Sequence, residues 1–169
     1  MPGSGWEYVH IAIDDHSRIA FSRIYPDEKR ESVIAFLRTA LAYYARLGIP
    51  FKAILTDNGP VYRSYLFARV CRELGLKHRF TRPYTPRTNG KAERFFQTAL
   101  REWAYARTYQ NSHERNRELG SWLHLYNWHR PHASLGFASP ISRSGLEENN
   151  LLSHHSYCSF SISALGSAR

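Results

Sequence analysis

The chain has 169 residues, 43% of them hydrophobic and 22% charged, which is enough to bury one good core, so we expect one domain. Its net charge of +9 favours a polyanionic partner, such as nucleic acid. No apolar run approaches membrane-spanning length, and Met1-Pro2-Gly3-Ser4-Gly5 has neither the charged nor the apolar region of a signal peptide. We therefore expect no membrane partner.

The first half of the chain predicts a hairpin, a helix and a strand. Residues 6–13 and 18–25 have strand patterns, and the turn residues 14–17 lie between them. Apolar residues at helical spacing then predict a core-facing helix that ends at Gly48. A short apolar strand follows at 51–56. A strand, a helix and another strand in this order predict a crossover to a parallel neighbour.

The second half adds helices and one more strand. A helix is predicted over 64–75 and a short strand over 76–80. Residues 81–89 hold two prolines and no apolar periodicity, so they form a predicted loop. Further helices are predicted over 90–107 and about 113–129. The element order β-β-α-β-α-β-α-α is typical of a mixed α/β domain.

The end of the chain differs in composition from the rest. Periodicity is lost after Pro131, and residues 153–169 are rich in serine. We therefore expect one domain over 1–150 and a loose C-terminal tail over 151–169.

The two cysteines, Cys71 and Cys158, predict no disulfide framework and fit a reducing cytosol. Cys71 lies in a helical pattern, which favours a small core residue.

Two carboxylates stand at positions suited to metal binding. The strand predicted over 51–56 ends at Asp57, which is followed by turn residues. Glu93 comes 36 positions later, in the first turn of a predicted helix. Oxygen ligands of this kind hold the divalent ions of phosphodiester chemistry. The alternatives are a turn-forming aspartate and a glutamate favoured by the helix dipole.

These two segments resemble a known family. They resemble the Asp-Asp-35-Glu signature of integrase and transposase catalytic cores. The resemblance is carried by Thr56-Asp57-Asn58-Gly59 and by Asn89-Gly90-Lys91-Ala92-Glu93-Arg94, with thirty-five residues between Asp57 and Glu93. Retroviral integrases and bacterial insertion-sequence transposases share this signature. The segments 82–88 and 126–132 are similar to that family as well. The resemblance covers residues from about 6 to about 150.

The resemblance implies a ribonuclease H-like fold, a mixed five-stranded sheet with helices on both faces. That fold has three antiparallel strands before its first helix, and this chain has two strand patterns there. We therefore expect an N-terminally truncated core that lacks the first strand and its catalytic aspartate, with one free flank on the hairpin. The alternative is that Asp14 or Asp15 supplies the missing ligand.

The resemblance also implies the activity. Asp57 and Glu93 would be the catalytic residues and the ligands of Mg²⁺ or Mn²⁺, with two ions in the intact enzyme. The enzyme would cut DNA and join element ends to target DNA by transesterification, as a homo-oligomer in the bacterial cytoplasm at the nucleoid. With one ligand missing, this chain would be poorly active. The alternatives are a non-catalytic remnant for DNA binding or subunit interaction, and a ribonuclease H-like nuclease.

The region around Glu93 supplies a predicted DNA-binding surface. Lys91, Arg94, Thr98 and Arg101 fall at helical spacing and form a basic stripe. The preceding loop adds residues suited to phosphate and sugar contacts. These are Arg82, Tyr84, Arg87, Thr88 and Asn89. The alternative for the stripe is a solvated helix face.

Histidines and tryptophans late in the chain have simpler interpretations. His124, His129 and His132 match no common zinc-ligand spacing and have no cysteine nearby. The tryptophans at 103, 122 and 128 are predicted to lie in the core and not to form platforms for base stacking.

Overall fold

A computed structural model describes residues 7–82 and 90–144, and the backbone of 157–165. Within these residues one mixed sheet contains five strands in the order β2-β1-β5-β3-β4. Strand β1 is antiparallel to β2 and β5, whereas β3 is parallel to β4 and β5. The strands are β1 (Glu7–Asp14), β2 (Ala20–Tyr25), β3 (Ala53–Thr56), β4 (Lys77–Phe80) and β5 (Tyr157–Leu165).

Helices cover both faces of the sheet, which confirms the predicted ribonuclease H-like class. They are α1 (Arg30–Arg46), α2 (Tyr65–Glu73), α3 (Gly90–Ala99) and α4 (Ser112–His124). The predicted helices over 90–107 and 113–129 begin where expected, but each continues into a wider π-helical turn, at Leu100–Ala104 and Leu125–His129. Single 3₁₀ turns follow at Ala133–Leu135 and Pro140–Arg143.

Capping residues account for where the helices begin and end. The Ser64 hydroxyl accepts a hydrogen bond from the Phe67 N–H at 3.2 Å, and the Asn111 side chain accepts from the Glu114 N–H at 2.9 Å. After α1, Gly48 adopts a left-handed φ of +69°, the conformation that ends many helices and that suits glycine.

Among the described side chains the core consists of two apolar clusters, one on each side of β1. Successive side chains of a strand point to opposite faces, so β1 contributes alternately to both clusters. Ala12 packs with α1 and α2, where Phe36 is fully enclosed. Ile11 and Ile13 pack with α3 and α4, beside Trp103. Because both faces are covered, β1 is buried from Val9 to its end.

The C-terminal strand is the main departure from the sequence prediction. Residues 157–165 form β5, which pairs with β1 on one side and β3 on the other. The prediction of a loose tail is therefore wrong for these residues, and the flank of the hairpin expected to be free is paired. Serines at 159, 161 and 163 alternate with apolar residues. This period of two is a strand signal that the serine-rich composition concealed.

Asn127 joins the 125–129 turn to the outer strand of the sheet. Its Oδ1 accepts from the Ala20 N–H at 2.8 Å, and its Nδ2 donates to the Ala20 carbonyl at 2.7 Å. Ala20 lies in β2, which has a strand neighbour on one side within the described residues. The Asn127 side chain thus satisfies backbone groups that a further strand would otherwise pair.

The central place of β5 can be tested with a backbone substitution. Ser159 pairs with Ile13 of β1 and Leu55 of β3, so Ser159→Pro removes an N–H from the middle of the sheet. An unpaired buried carbonyl costs roughly 1–3 kcal/mol, and each kcal/mol lowers the Tm by about 2–4 °C in a chain of this size. Thermal unfolding followed by circular dichroism measures this loss. Ser159→Ala keeps the N–H and is the control, and equal Tm values for the two variants would contradict this placement of β5.

Candidate metal and nucleic-acid site

Asp57 stands at the carboxyl end of β3, where the sequence placed it. Its side chain is half-buried, and its Oδ1 accepts a hydrogen bond from the Gly59 N–H at 2.7 Å. The end of β4 lies alongside, because the Thr81 N–H donates to the Thr56 carbonyl at 2.8 Å and the Asn58 Nδ2 donates to the Thr81 carbonyl at 2.9 Å. These bonds fix the Asp57 turn to two adjacent strands.

Gly59 is a site residue that was not among those predicted to act at the metal. A Cβ atom at this position would lie 2.8 Å from Asp57 Oδ1 and 3.6 Å from the Tyr62 ring. Burial, and then the negative charge of Asp57, raise the pKa of the Tyr62 phenol. The Asp57 carboxylate forms no ion pair with any described residue. It is therefore oriented by one N–H while its second oxygen has no partner among them.

Glu93 lies in the first turn of α3 and is exposed. The residues around it hold the helix in place: Ala92 and Phe95 are buried against the sheet, and the Lys91 ammonium forms an ion pair with the Asp15 carboxylate of the β1–β2 turn. Within the described part of the chain Glu93 itself forms no ion pair. Its carboxylate is thus available to an external ligand.

Asp14 has a structural role in the hairpin turn. It is 1% exposed, and its Oδ2 accepts from the Ser17 N–H at 2.8 Å and the Ser17 hydroxyl at 2.6 Å. The register aligns it, across β5, with Ile54, three residues before Asp57. Strand spacings then separate the Asp14 and Asp57 Cα atoms by about 14 Å. This separation argues against Asp14 as the missing ligand, because paired ions lie only about 4 Å apart.

Asp15 is engaged as well. Besides its ion pair with Lys91, its Oδ1 lies 3.7 Å from Arg18 Nη1. Strand β5, which lies between β1 and β3, has no acidic residue in its sequence. Among the described residues no group of three or more His, Cys, Asp or Glu side chains could hold a metal ion. That the Asp57 and Glu93 carboxylates lie close together stays a prediction. Neither the β1–β2 turn nor β5 supplies a candidate for a third metal ligand.

Only some of the predicted DNA-binding residues lie in the described part of the chain. Tyr84, Arg87, Thr88 and Asn89 lie outside the described residues. Arg82 is exposed and directly follows Thr81, so it lies at the same sheet edge as Asp57.

The basic stripe is less regular than its spacing predicted. Arg94 and Arg101 are exposed, but Thr98 is only 7% exposed and its hydroxyl donates to the Arg94 carbonyl at 2.9 Å. Lys91 is half-buried and already paired with Asp15. Among the described residues of the prediction, the exposed basic positions are therefore Arg82, Arg94 and Arg101.

The late histidines form contacts with aromatic rings. His124 stacks on Trp128 with ring centroids 5.7 Å apart, and His132 meets the Tyr126 ring edge-on at 4.9 Å. Trp103 and Trp122 are buried, as predicted. The prediction is wrong for Trp128, which is 42% exposed.

Sequence comparison identifies the family to which a chain of this fold belongs. Two models, both described as "Integrase core domain", match residues 1–86 and residues 74–140. The first covers half of the chain. The chain therefore belongs to the integrase core domain family.

Particular relatives come from viruses and from a bacterial insertion element. The chain is 25% identical over 148 residues to a "Putative integrase ORF3" of Spiroplasma virus SpV1-C74, covering 80% of this chain and 41% of that protein. It is 28% identical over 152 residues to an uncharacterised protein of insertion element IS476 of Xanthomonas euvesicatoria, covering 83% and 44%. This chain thus spans less than half the length of these relatives.

Solved integrase structures share the fold. A chain of the simian T-cell lymphotropic virus intasome, in complex with PP2A regulatory subunit B56 gamma, superposes with a TM-score of 0.67 at 25% identity, covering 86% of this chain and 50% of that chain. The catalytic core domain of BIV integrase gives a TM-score of 0.62 at 19% identity, covering 83% and 93%. The HTLV-2 integrase core, in complex with magnesium, gives a TM-score of 0.61 at 19% identity, covering 79% of this chain and 82% of that chain.

In the described part of the chain, no helix has both the length and the apolar character needed to cross a membrane.

The close approach of Gly59 to Asp57 generates a prediction. Gly59→Ala places a methyl group 2.8 Å from Asp57 Oδ1, which displaces the carboxylate from the Gly59 N–H. If Asp57 holds a metal, we expect the Kd for Mn²⁺, measured by isothermal titration calorimetry, to rise about tenfold, the effect of roughly 1.4 kcal/mol.

Gly120→Ala is the matched control, because a Cβ atom at Gly120 meets nothing within 4 Å and alanine favours the helix by up to about 1 kcal/mol. Equal Mn²⁺ affinity in both variants would show that the Asp57 carboxylate is not a metal ligand.

Proposed function

We propose that this chain is the catalytic core of a DNA transposase or integrase, and that Asp57 and Glu93 bind the divalent cation of its transesterification reaction. The proposal is carried by the surroundings of these two carboxylates in a chain that belongs to the integrase core domain family. Each is held at the end of a packed element, and neither is neutralised by a described basic residue.

The donor set fits Mg²⁺ or Mn²⁺. Both prefer oxygen ligands, and Mg²⁺ retains several waters, so a few carboxylates suffice. When bound, the ion would lower the pKa of the attacking hydroxyl and stabilise charge on the leaving oxygen. The magnesium complex of HTLV-2 integrase supports this choice of metal.

The residues of the chain then have distinct tasks. Asp57, oriented by Gly59, and Glu93 would hold the cation against a DNA phosphate. Arg82 lies at the same sheet edge as Asp57, where its guanidinium would position a neighbouring phosphate. In strand transfer, a 3′ hydroxyl oxygen forms the new bond to phosphorus and the 3′ oxygen of the target strand leaves.

The same geometry predicts low strand-transfer activity. The described residues offer two carboxylates where two-ion catalysis calls for more, and β5 contributes none. We therefore propose that the chain by itself binds DNA but transfers strands poorly. It would act as a homo-oligomer on paired DNA ends, which the intasome assembly of the simian viral relative supports.

One alternative has an observation in its favour. A non-catalytic DNA-binding or subunit-interaction protein needs the basic surface but not the metal. The lack of a third candidate ligand in the described residues favours this alternative. A metal-dependent nuclease would give hydrolysed and not joined products, so one assay separates the three functions.

The proposed activity is tested by incubating the 169-residue chain with pre-cut duplexes from the two ends of the element that carries its gene. We expect low strand transfer that depends on Mg²⁺ or Mn²⁺ and disappears in Asp57→Asn and Glu93→Gln. The matched control is Glu31→Gln, because Glu31 is likewise an exposed glutamate in a first helical turn.

Three outcomes of this assay contradict the proposal. Hydrolysed products alone would assign a nuclease, and no reaction with intact DNA binding would assign the non-catalytic function. Activity that survives both substitutions would show that Asp57 and Glu93 are not its ligands.

DNA binding by the predicted exposed basic residues is tested separately. The double variant Arg82→Gln/Arg101→Gln should weaken binding to a mixed-sequence duplex. It should also lower the slope of log K against log salt by about 0.9 for each phosphate that the variant no longer binds. Fluorescence anisotropy at several salt concentrations measures both quantities. Arg38→Gln/Arg46→Gln removes two exposed charges from α1 and is the control. Equal slopes in the two variants would show that Arg82 and Arg101 belong to a solvated face.

A further inference from the structure

A cleft opens between the β1–β2 turn, the start of α3 and the segment 130–135. It has two adjoining parts with volumes of about 570 Å³ and about 310 Å³. Both parts are lined by Arg18, Lys91 and Ser134. The two parts are therefore neighbours on the protein surface, and we call them together the turn cleft.

The turn cleft carries an excess of positive charge. Among its described lining residues five are Lys or Arg and one is acidic. The basic residues are Arg18, Lys91, Arg94, Arg130 and Arg143, and the acid is Asp15. Most of these arginines were not part of any sequence motif for DNA binding.

The ion pairs within the described residues leave much of this charge unneutralised. Asp15 is shared between Lys91 and Arg18, so a single carboxylate faces two cations. Arg130 pairs with Glu102, which lies outside the cleft. Arg94 and Arg143 form no ion pair with any described residue.

The wall around Tyr126 shows that the cations converge. The Arg130 guanidinium lies 5.9 Å from the centre of the Tyr126 ring. Burial raises the pKa of the Tyr126 phenol to about 12. The positive charges that oppose this rise belong to Arg130, Arg18 and Arg94. Arg18, Arg94 and Arg130, from three separate segments, line this part of the cleft together with Tyr126.

His132 contributes an imidazole to the wall of the cleft. Its Nε2 is buried and has no hydrogen-bond partner among the described residues, although the residue lines the cleft. Burial, and then the charges of Arg130 and Arg18, lower the pKa of this imidazole. In the tautomer that carries its proton on Nε2, the neutral imidazole would be a hydrogen-bond donor on this wall of the cleft.

We propose that the turn cleft binds consecutive backbone phosphates of a nucleic acid, with Arg18, Arg94 and Arg143 as its principal contacts. This inference rests on the proposed function, and it adds a binding surface beside the one predicted from Arg82 and Arg101. Arginines dispersed over two adjoining parts match a row of phosphates better than one compact anion. The Ser134 hydroxyl and the His132 imidazole supply neutral hydrogen-bonding groups of the kind that accompany phosphate contacts.

The experiment compares double variants of the full chain that each remove two charges. Arg18→Asn/Arg143→Gln changes only the cleft, and asparagine tolerates the left-handed φ of +67° that Arg18 adopts. Arg82→Gln/Arg101→Gln changes only the other surface, and Arg38→Gln/Arg46→Gln is the control on α1. The measurement is the salt dependence of binding to a mixed-sequence duplex, by fluorescence anisotropy. The cleft variant should lower the slope of log K against log salt by about 1.8, or about 0.9 for each arginine replaced.

The results separate this inference from the proposed function. A cleft variant that matches the α1 control, while the Arg82/Arg101 variant binds weakly, overturns the cleft and leaves the proposed function intact. The opposite pattern supports the cleft and removes Arg82 and Arg101 from the DNA surface. If neither variant differs from the control, both surfaces fail as DNA-binding sites.

Two further measurements complete the test. Arg143→Gln alone replaces an exposed side chain, so it serves if the double variant unfolds, and it should lower the slope by about 0.9. Inorganic phosphate is the second probe. If the unaltered chain binds millimolar phosphate and the cleft variant does not, while both give the same salt slope for the duplex, the cleft prefers a free anion and the nucleic-acid assignment is wrong.

Discussion

The burial of β1 on both faces is the constraint on which the rest of the structure depends. Ala12 faces the cluster formed with α1 and α2, while Ile11 and Ile13 face α3 and α4. Neither helix layer is stable without the strand between them, because each helix pair would expose its apolar face. The same packing fixes the start of α3, and with it the position of Glu93 relative to the sheet.

Two different devices hold the two candidate ligands. Asp57 is oriented by its own turn, through a bond to Gly59 that only a residue without a side chain permits at such close range. Glu93 depends on tertiary contacts, since Ala92 and Phe95 anchor its helix and Lys91 ties that helix to Asp15. A substitution in the β1–β2 turn would therefore disturb Glu93 without touching Asp57. It would also act on the turn cleft, because Arg18 belongs to this turn.

The sequence predicted the order of elements well, because short apolar strands and amphipathic helices each leave a local period. The bounds of the first four strands agree to within two residues. Strand β5 was missed because its partners, β1 and β3, are remote along the chain, and composition says nothing about pairing. Trp128 was misplaced for a related reason: it lies in a π-helical turn, where the spacing of an ordinary helix no longer indicates the buried face.

The positions of Asp57 and Glu93 on their elements were predictable from spacing, but the groups around them were not. Asp14 was a candidate ligand by its place at a strand end, and the strand register separates it from Asp57. The turn cleft combines three segments that are far apart in sequence, so no motif could indicate it.

The most direct test of a shared metal site is a titration of the ¹⁵N-labelled chain with Mn²⁺, whose unpaired electrons broaden NMR signals of nearby nuclei. We predict that the amides of Asn58 and Gly59 and those of Ala92 and Arg94 lose intensity together, at the same Mn²⁺ concentration. Glu93→Gln should weaken the broadening at both places, since one ion is shared. Broadening confined to one of them, or centred on Asp14 and Asp15, would contradict a common metal site for Asp57 and Glu93.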